Sequence, residues 1–280
     1  MPEVIAGVEA LRERLRRERS KSIGLVPTMG ALHRGHEKLL DTARRENDFI
    51  VATIFVNPIQ FDRAEDLEKY PRTMDEDLRV CGSHGVDLVF APATTDLYPN
   101  EQLTFVESPV LSEHLCGAHR PGHFRGVATV VLKLFNVVQP DRAYFGEKDA
   151  QQLAIIRRMV TDLNVPVAVV PVATVREEDG LALSSRNKHL TPAQRGIAPI
   201  LSRALSNAID SIEQGERRAS VLRQAAYDLF AQYPEARVEY FEFIHPDTLQ
   251  PVDQIERSVL IAGAMWLGST RLIDNMRWPR

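Results

Sequence analysis

Short apolar runs alternate with amphipathic runs of helical period between residues 22 and 172, and this alternation constrains the fold more than any other feature. The predicted strands are residues 22–27, 49–56, 86–90, 143–145 and 165–172. The predicted helices between them are residues 36–47, 75–84, 126–138 and 149–163. Because parallel strands need crossover connections, which are usually helices, the alternation predicts an α/β fold with a parallel sheet covered by helices.

The pattern changes near Thr174, where a polar segment begins. Long helical stretches are predicted at 192–214 and 217–232, followed by strands at 238–244, 259–265 and 270–273. The short loops between these strands favour antiparallel pairing. We therefore predict a parallel α/β domain over residues 1–175 and a smaller α+β domain over residues 176–280.

Charge and hydropathy argue against two classes of protein. A net charge of −4 and a pI near 6.1 argue against a nucleic-acid surface, which concentrates positive charge. The arginine-rich residues 12–21 also carry Glu13 and Glu18, and apolar residues recur at helical spacing from Val4 to Leu15, so a solvated amphipathic helix is predicted there. The longest apolar runs fall short of the roughly 20 residues of a membrane helix, so neither a span nor a signal peptide is expected.

The chain has two cysteines, Cys81 and Cys116, far apart and not in C-x-x-C spacing. This number and spacing support neither a disulfide framework nor a thiolate metal site. A reducing compartment, the cytoplasm, is therefore expected.

The first cluster suited to chemistry is residues 27–36, between the first predicted strand of the alternation and its helix, where open α/β sheets bind ligands. Gly30 and Gly35 let the backbone approach a ligand, and the N–H groups of a helix start favour anions. His33 and His36 are three residues apart and can face the same phosphate. A buried structural histidine pair and half of a metal site remain alternatives.

Two polar positions follow in the same half of the chain. Gln60 comes just after a predicted strand, where an amide can orient a carboxylate or hydroxyl, although a lone loop glutamine is more often a turn residue than a ligand. Asp75, Glu76 and Asp77 could offer carboxylates to Mg²⁺. Acids in a first helical turn are, however, expected from the helix macrodipole alone.

Two further clusters contain cations. In residues 146–149, Lys148 can neutralise phosphate and Asp149 can bond ribose hydroxyls, or Asp149 can simply cap a helix. In residues 183–187, two serines and Arg186 can close over a triphosphate, or form a solvated linker. Arg120 lies in a third basic stretch and suits an acidic substrate or ordinary surface pairing.

The set of motifs resembles the pantothenate synthetase (pantoate–β-alanine ligase) family of the nucleotidyltransferase superfamily, over nearly the whole chain. The motifs are P-T-M-G-A-L-H-x-G-H at 27–36, F-V-N-P-x-Q-F at 55–61, R-P-G-H-F at 120–124, F-G-E-K-D at 145–149 and L-S-S-R-N at 183–187. The resemblance implies a Rossmann-like nucleotide-binding domain and a smaller domain that carries a mobile Ser-Ser-Arg-Asn loop. It also implies ATP-dependent condensation of pantoate with β-alanine through a pantoyl adenylate, Mg²⁺ as cofactor and a homodimer.

The same resemblance assigns roles to residues. The implied ATP ligands are Met29, Gly30, Ala31, Leu32, His33, Arg34, Gly35, His36, Gly146, Glu147, Lys148, Asp149, Val175, Leu183, Ser184, Ser185 and Arg186. The catalytic candidates among them are His33, His36, Lys148 and Arg186, with His36 as the general acid. Gln60, Gln152 and Arg120 are expected to bind pantoate or β-alanine, and Asp77 is a candidate magnesium ligand.

Two positions depart from the family pattern: Ala150 replaces an expected aromatic residue, and His189 an expected tyrosine. A cytidylyltransferase or another adenylate-forming ligase on the same architecture, and a non-catalytic nucleotide-binding module, remain rival interpretations. Residues 104–110 are expected to be strand-rich and to form the dimer contact.

Overall fold

The computed structural model describes residues 1–279 and divides into two compact units. Unit 1 comprises Met1–Pro109, Arg120–Glu147 and Ile155–Ala173, whereas unit 2 comprises Val110–His119, Lys148–Ala154 and the chain from Thr174 onward. The domain boundary at residue 175 stays a prediction, since two short segments that precede it in sequence belong to the second compact unit.

Nine strands and twelve α-helices are assigned among the described residues. The strands are β1 Glu3–Ile5, β2 Ile23–Thr28, β3 Phe49–Ile54, β4 Leu88–Phe90, β5 Arg142–Gly146, β6 Ala168–Val172, β7 Ala236–Ile244, β8 Val259–Leu267 and β9 Thr270–Trp278. The helices are α1 Val8–Arg16, α2 Arg34–Glu46, α3 Ala64–Glu68, α4 Met74–Ser83, α5 Thr94–Leu97, α6 Pro109–Ser112, α7 Leu115–His119, α8 His123–Val138, α9 Ala150–Asp162, α10 Pro192–Ile197, α11 Ile200–Glu213 and α12 Ala219–Phe230. Short 3₁₀ turns cover Pro58–Gln60, Glu147–Asp149 and Ser185–His189.

Unit 1 is built on a six-stranded parallel sheet in the order β1-β4-β3-β2-β5-β6, which confirms the predicted α/β class. The strand order reverses between β2 and β5. In open α/β sheets the crevice at such a reversal, outside the carboxyl ends of the strands, is where ligands bind. The segments that leave β2 and β5 are those that begin at Met29 and Glu147.

The core of unit 1 follows from the apolar runs. All six residues of β3 are buried, as expected for a parallel strand covered on both faces. Helix α2 buries Leu39, Leu40 and Ala43 against this core, which is the face predicted from their spacing.

Unit 2 contains an antiparallel sheet, β7-β8-β9, as predicted. Helices α11 and α12 cover it, and Leu205, Ile209, Phe241 and Ile261 belong to their common core. The predicted helix at 192–214 is two helices, because Pro199 has no N–H for a helical bond and restricts the residue before it.

Two predicted elements were wrong. Residues 3–5 form strand β1 beside β4, so Val4 belongs to the sheet, and the helix begins only at Val8. Residues 104–108 contain no strand; the Val106 N–H donates to the Thr129 hydroxyl at 3.0 Å rather than to a sheet partner. Over residues 1–279, no helix is both long and apolar enough to span a bilayer.

Candidate active site

The loop after β2 has an unusual backbone held by a buried carboxylate. Gly30 and Ala31 have φ angles of 81° and 52°, in the left-handed region. The N–H groups of Ala31 and Leu32 donate to Asp77 Oδ2 and Oδ1 at 3.0 and 2.7 Å. A Cβ atom at Gly30 would lie 2.9 Å from Asp77 Oδ2, so glycine satisfies both the backbone angle and the space.

The carboxylate of Asp77, the candidate magnesium ligand, has several hydrogen-bond partners within the protein. Its side chain is fully buried, and its oxygens also accept a hydrogen bond from the Thr73 hydroxyl at 3.1 Å. Among residues 1–279, no group of three or more His, Cys, Asp or Glu is placed to hold a metal ion. Asp77 therefore anchors the loop after β2, and its role as a magnesium ligand stays a prediction.

The two histidines form the cap of helix α2. The Gly35 N–H donates to His33 Nδ1 at 3.1 Å, and the His33 N–H donates to His36 Nδ1 at 3.3 Å. This is the reciprocal arrangement of a capping box, made here by two imidazoles. The ring centroids are 4.2 Å apart, so the pair is brought together as predicted.

The position of the His33 ring explains why residue 35 of the His-x-Gly-His element is a glycine. A Cβ atom at this position would lie 2.9 Å from His33 Cε1 and 3.0 Å from His33 Nδ1. Any side chain at position 35 would therefore push the His33 ring out of its capping position.

The caps also select the tautomer of both rings. Each Nδ1 accepts a backbone hydrogen bond, so a neutral ring carries its proton on Nε2. Several backbone N–H groups expected to face an anion are already bound within the loop or to Asp77. In a neutral ring of His33 or His36, Nδ1 is therefore the acceptor of the cap and Nε2–H is the donor.

Gln60 ends the 3₁₀ turn after β3 and is buried. Its Oε1 accepts from Asn57 Nδ2 at 3.0 Å, and its Nε2 lies 3.1 Å from Met29 Sδ. Sequence reasoning quoted Asn57 in a motif but assigned it no role. Its partner at Gly126, 69 residues away, could not be found from local spacing.

Arg120 belongs to a cluster near Gln60. It donates to Asp62 Oδ1 at 3.2 and 3.3 Å and to His123 Nε2 at 3.1 Å, while His123 Nδ1 lies 2.8 Å from the Gln60 carbonyl. Since a carbonyl accepts, the His123 proton is on Nδ1. Burial alone would raise the pKa of Asp62, but a backbone hydrogen bond and the Arg120 charge hold that pKa below its usual value.

Unit 2 contains a pocket that joins two of the predicted clusters. Its lining includes Lys148, Ser184, Arg186 and Asn187, together with Arg271 and Asp274. Ser184 caps the 3₁₀ turn by accepting from the Arg186 N–H at 3.3 Å. The Lys148 carbonyl accepts from Asn275 Nδ2 at 2.8 Å, which fixes its backbone. The structure thus brings Lys148, Ser184 and Arg186 to one pocket.

A short antiparallel bridge between Arg176 and Ala182 leads into this segment. Val175 and Leu183 belong to it, because the Leu183 N–H donates to the Val175 carbonyl at 2.9 Å. Arg176 holds the bridge to β9 by bonding both oxygens of Asp274 at 2.6 and 2.9 Å. Burial raises the pKa of Asp274 despite this guanidinium.

The remaining predicted positions have simpler surroundings. Gly146 ends β5, Glu147 and Asp149 are exposed, and Ala150 and Gln152 are half-buried in the first turn of α9.

The neighbouring Gln151 is structural: its Nε2 donates to the carbonyls of Leu111 and His114 at 2.8 and 2.7 Å. Arg34 and His189 are exposed.

Comparison with known proteins decides the family. Residues 3–277 match the family model for pantoate-beta-alanine ligase. The chain belongs to the pantoate-beta-alanine ligase family. It is therefore a ligase, an enzyme that forms an amide bond. A pantothenate synthetase from Moorella thermoacetica is 54% identical over 260 residues, which cover 93% of this chain and 92% of that protein.

Solved structures of this ligase family agree with the fold. The pantothenate synthetase of Thermus thermophilus has a TM-score of 0.93 and 48% identity, over 98% of each chain. The pantoate-beta-alanine ligase of Francisella tularensis, solved in complex with beta-gamma ATP and beta-alanine, has a TM-score of 0.79 and 32% identity, over 99% of this chain and 97% of that one. Both support the arrangement of a six-stranded parallel sheet with a separate three-stranded sheet.

Proposed function

We propose that this enzyme condenses (R)-pantoate with β-alanine to pantothenate with consumption of ATP, through a pantoyl adenylate, with release of AMP and pyrophosphate. The observation that carries the proposal is the His33–His36 capping pair, which places two imidazoles side by side at the start of helix α2, in a chain of this ligase family. The ATP and β-alanine bound to the Francisella tularensis relative support the choice of substrates.

The first half-reaction joins two anions that repel each other. A pantoate carboxylate oxygen attacks the α-phosphorus of ATP, the bond from that phosphorus to the bridging oxygen breaks, and pyrophosphate leaves. Positive charge and hydrogen-bond donors aimed at the phosphates lower this barrier. We assign His33, His36, Lys148 and Arg186 to that task, with the Nε2–H of His36 as the donor that acts as general acid.

The second half-reaction forms the amide. The β-alanine amine attacks the acyl carbon of the adenylate, the bond from that carbon to the phosphate oxygen breaks, and AMP leaves while the amine loses a proton. Water is the competing nucleophile, so the intermediate has to be shielded from it. We assign this closure to the segment 184–187, whose serines and Arg186 suit a triphosphate or its pyrophosphate product.

The remaining roles follow the chemistry of each side chain. We propose that ATP is bound by residues 29–36, 146–149 and 183–186 together with Val175. Gln60 and Gln152 would bind the hydroxyl or carboxylate oxygens of pantoate, and Arg120 a substrate carboxylate. The two rings capped on Nδ1 support the phosphate role over a metal role, because an accepting Nδ1 leaves the ring proton on Nε2, and a protonated nitrogen cannot bind a metal.

Magnesium is proposed to arrive with ATP. The described residues do not form an acidic cluster for it, and the Asp77 oxygens are used by the loop after β2. Phosphate oxygens are ordinary Mg²⁺ ligands, and the ion normally keeps several waters. We therefore assign its binding to the nucleotide and derive no step through a protein-held ion.

Two further proposals concern the cellular location and the oligomeric state of the enzyme. A cytoplasmic location suits an ATP-consuming reaction and two unpaired cysteines. A homodimer rests on resemblance to the family, and light scattering of the purified protein tests it: a mass of one chain would contradict it.

Isotope transfer tests the reaction itself. Pantoate labelled with ¹⁸O in the carboxylate is incubated with ATP, Mg²⁺ and β-alanine, and the nucleotide product is analysed by mass. The proposed route places one ¹⁸O in AMP and releases pyrophosphate only when pantoate is present. Formation of ADP, a requirement for CTP, or pyrophosphate release without an acid would each overturn the proposal. Omission of β-alanine should stop turnover after a single equivalent of pyrophosphate.

A further inference from the structure

Three side chains of unit 1 form a continuous chain of hydrogen bonds that ends at Gln60. The Tyr98 hydroxyl donates to Asn57 Oδ1 at 2.9 Å. Asn57 Nδ2 donates to Gln60 Oε1 at 3.0 Å and to the Gly126 carbonyl at 3.2 Å. Asn57 is 1% exposed and Gln60 8%, so solvent does not compete for these bonds.

The direction of each bond is determined by its neighbours. The Gly126 carbonyl can only accept, so the amide nitrogen of Asn57 has to face it. The oxygen of Asn57 then faces Tyr98, whose hydroxyl supplies the donor. Burial raises the pKa of Tyr98, so this hydroxyl keeps its proton and stays a donor.

The orientation of the Gln60 side-chain amide follows from the same hydrogen bonds. Its oxygen is taken by Asn57, so its Nε2 points the other way, toward Met29 Sδ at 3.1 Å. A thioether is a weak acceptor. A carboxylate or hydroxyl oxygen is a stronger one and can replace it, so Gln60 presents an N–H donor and not a carbonyl to a bound acid.

We propose that Tyr98 is a positioning residue for the acid substrate, because its hydroxyl sets the amide of Asn57 and thereby the N–H donor of Gln60. This inference rests on the proposed role of Gln60 in binding pantoate. Tyr98 itself need not touch the substrate. Its effect is to prevent Gln60 from turning its carbonyl, which would repel a carboxylate, toward the acid.

The ring of Tyr98 is held separately from its hydroxyl. The Lys133 ammonium lies 4.5 Å from the ring centroid and donates to Gln102 at 3.1 Å, and the Phe55 ring is 6.2 Å away. A change at Lys133 therefore disturbs the packing of the ring without removing the hydrogen bond to Asn57. This residue offers a matched control.

The test compares Tyr98→Phe with Lys133→Met, with KM for pantoate and KM for ATP measured in the full chain. Tyr98→Phe leaves a buried Asn57 oxygen without its donor, so we expect KM for pantoate to rise about tenfold, the factor for one hydrogen bond. KM for ATP in Tyr98→Phe should stay within about twofold of the wild-type value. In Lys133→Met, KM for pantoate and KM for ATP should both stay within about twofold of wild type. KM does not depend on the concentration of folded enzyme, so KM for pantoate can be measured on the folded fraction even if Tyr98→Phe folds poorly.

A double-mutant cycle separates this inference from the proposed role of Gln60. Gln60→Ala should raise KM for pantoate, and adding Tyr98→Phe to it should change nothing further. If Gln60→Ala has this effect but Tyr98→Phe does not, the positioning role is wrong and the proposed function stands. Equal rises in both KM values in Tyr98→Phe would show a purely structural role. If Gln60→Ala leaves KM for pantoate unchanged, the role of Gln60 and the inference both fail.

Discussion

The loop after β2 in unit 1 and the 3₁₀ segment Ser185–His189 in unit 2 both carry basic side chains, but the loop is much more buried than the segment. In the loop, Gly30 and Leu32 are buried, Asp77 holds two N–H groups, and His33 and His36 cap a helix together. In the segment, Arg186, Lys188 and His189 are exposed, and the Arg186 N–H donates to the Ser184 hydroxyl.

The difference shows two ways to present charge to a phosphate. Donors fixed before the ligand arrives require no rearrangement during the reaction, which is the main source of electrostatic catalysis. An exposed cation on a short turn can instead move with the ligand and close over it. We therefore expect changes in the loop to affect stability and catalysis together, and a change at Arg186 in the segment to affect catalysis alone.

The largest expected effect is that of His36→Ala. Removing one preorganised donor should lower the rate of pantoate-dependent pyrophosphate release by about 10²- to 10³-fold. His189→Ala, an exposed histidine of the 3₁₀ segment, is the control and should stay within about twofold of wild type, as usual for surface changes. A His36→Ala enzyme that releases pyrophosphate at the wild-type rate would remove His36 from the mechanism.

Asp77→Asn tests whether the loop is held by its buried carboxylate. One oxygen becomes an NH₂ group that faces an N–H donor, so the free energy of unfolding in urea should fall by about 1 to 3 kcal/mol, with a loss of activity. Asp75→Asn, an exposed acid in the same helical turn, should change neither. If Asp77 were a magnesium ligand instead, the variant would keep its stability and need more Mg²⁺ for half-maximal activity.

Arg186→Ala tests the exposed 3₁₀ segment of unit 2. We expect kcat/KM for ATP to fall about tenfold, the effect of losing one charged hydrogen bond to phosphate. Because the side chain is exposed, the free energy of unfolding should change by no more than about 0.5 kcal/mol. Arg186→Lys should recover part of the activity, since it keeps the charge but not the planar donor set. If Arg186→Ala lowered the free energy of unfolding as much as Asp77→Asn, the proposed difference between the loop and the segment would be wrong.

The smallest expected effect is at the Arg195–Asp179 ion pair, next to the bridge that leads into the segment. The hydrogen bond from Arg195 lowers the pKa of Asp179 below its usual 3.8. A lowered carboxyl pKa adds stability above pH 3.8 that is lost as the pH falls through the lower value. Both side chains are more than a third exposed, so Asp179→Asn should cost under about 1 kcal/mol at pH 7.

Urea titrations of wild type and Asp179→Asn at pH 7 and pH 3 check this. The difference in unfolding free energy should shrink at the lower pH, and added salt should reduce it at pH 7. A difference that grows on acidification would mean that the pKa shift has the opposite sign.

Periodicity was enough to predict most elements. The apolar run at 49–56 and the spacing of Leu39, Leu40 and Ala43 predicted β3 and α2 closely, because burial on a strand or a helix face is determined by residues close together in sequence. The two histidines were predicted to face one ligand for the same reason, since three positions along a helix start are neighbours. Strand β1 was missed because its three residues also suit the start of a helical pattern.

The sequence by itself determined the parallel sheet, the antiparallel sheet, the family and the His33–His36 pair, because all of these depend on short-range patterns or on whole motifs. Only the tertiary structure decided which polar groups hold others in place. Asp77 accepts hydrogen bonds from residues 45 and 46 positions away in sequence. The Tyr98 hydroxyl donates to Asn57, which is 41 positions away. An acid at the start of a helix looks the same in sequence whether it binds a metal, interacts with the dipole or anchors a distant loop. The choice depends on the direction of individual hydrogen bonds between segments that meet only when the chain folds.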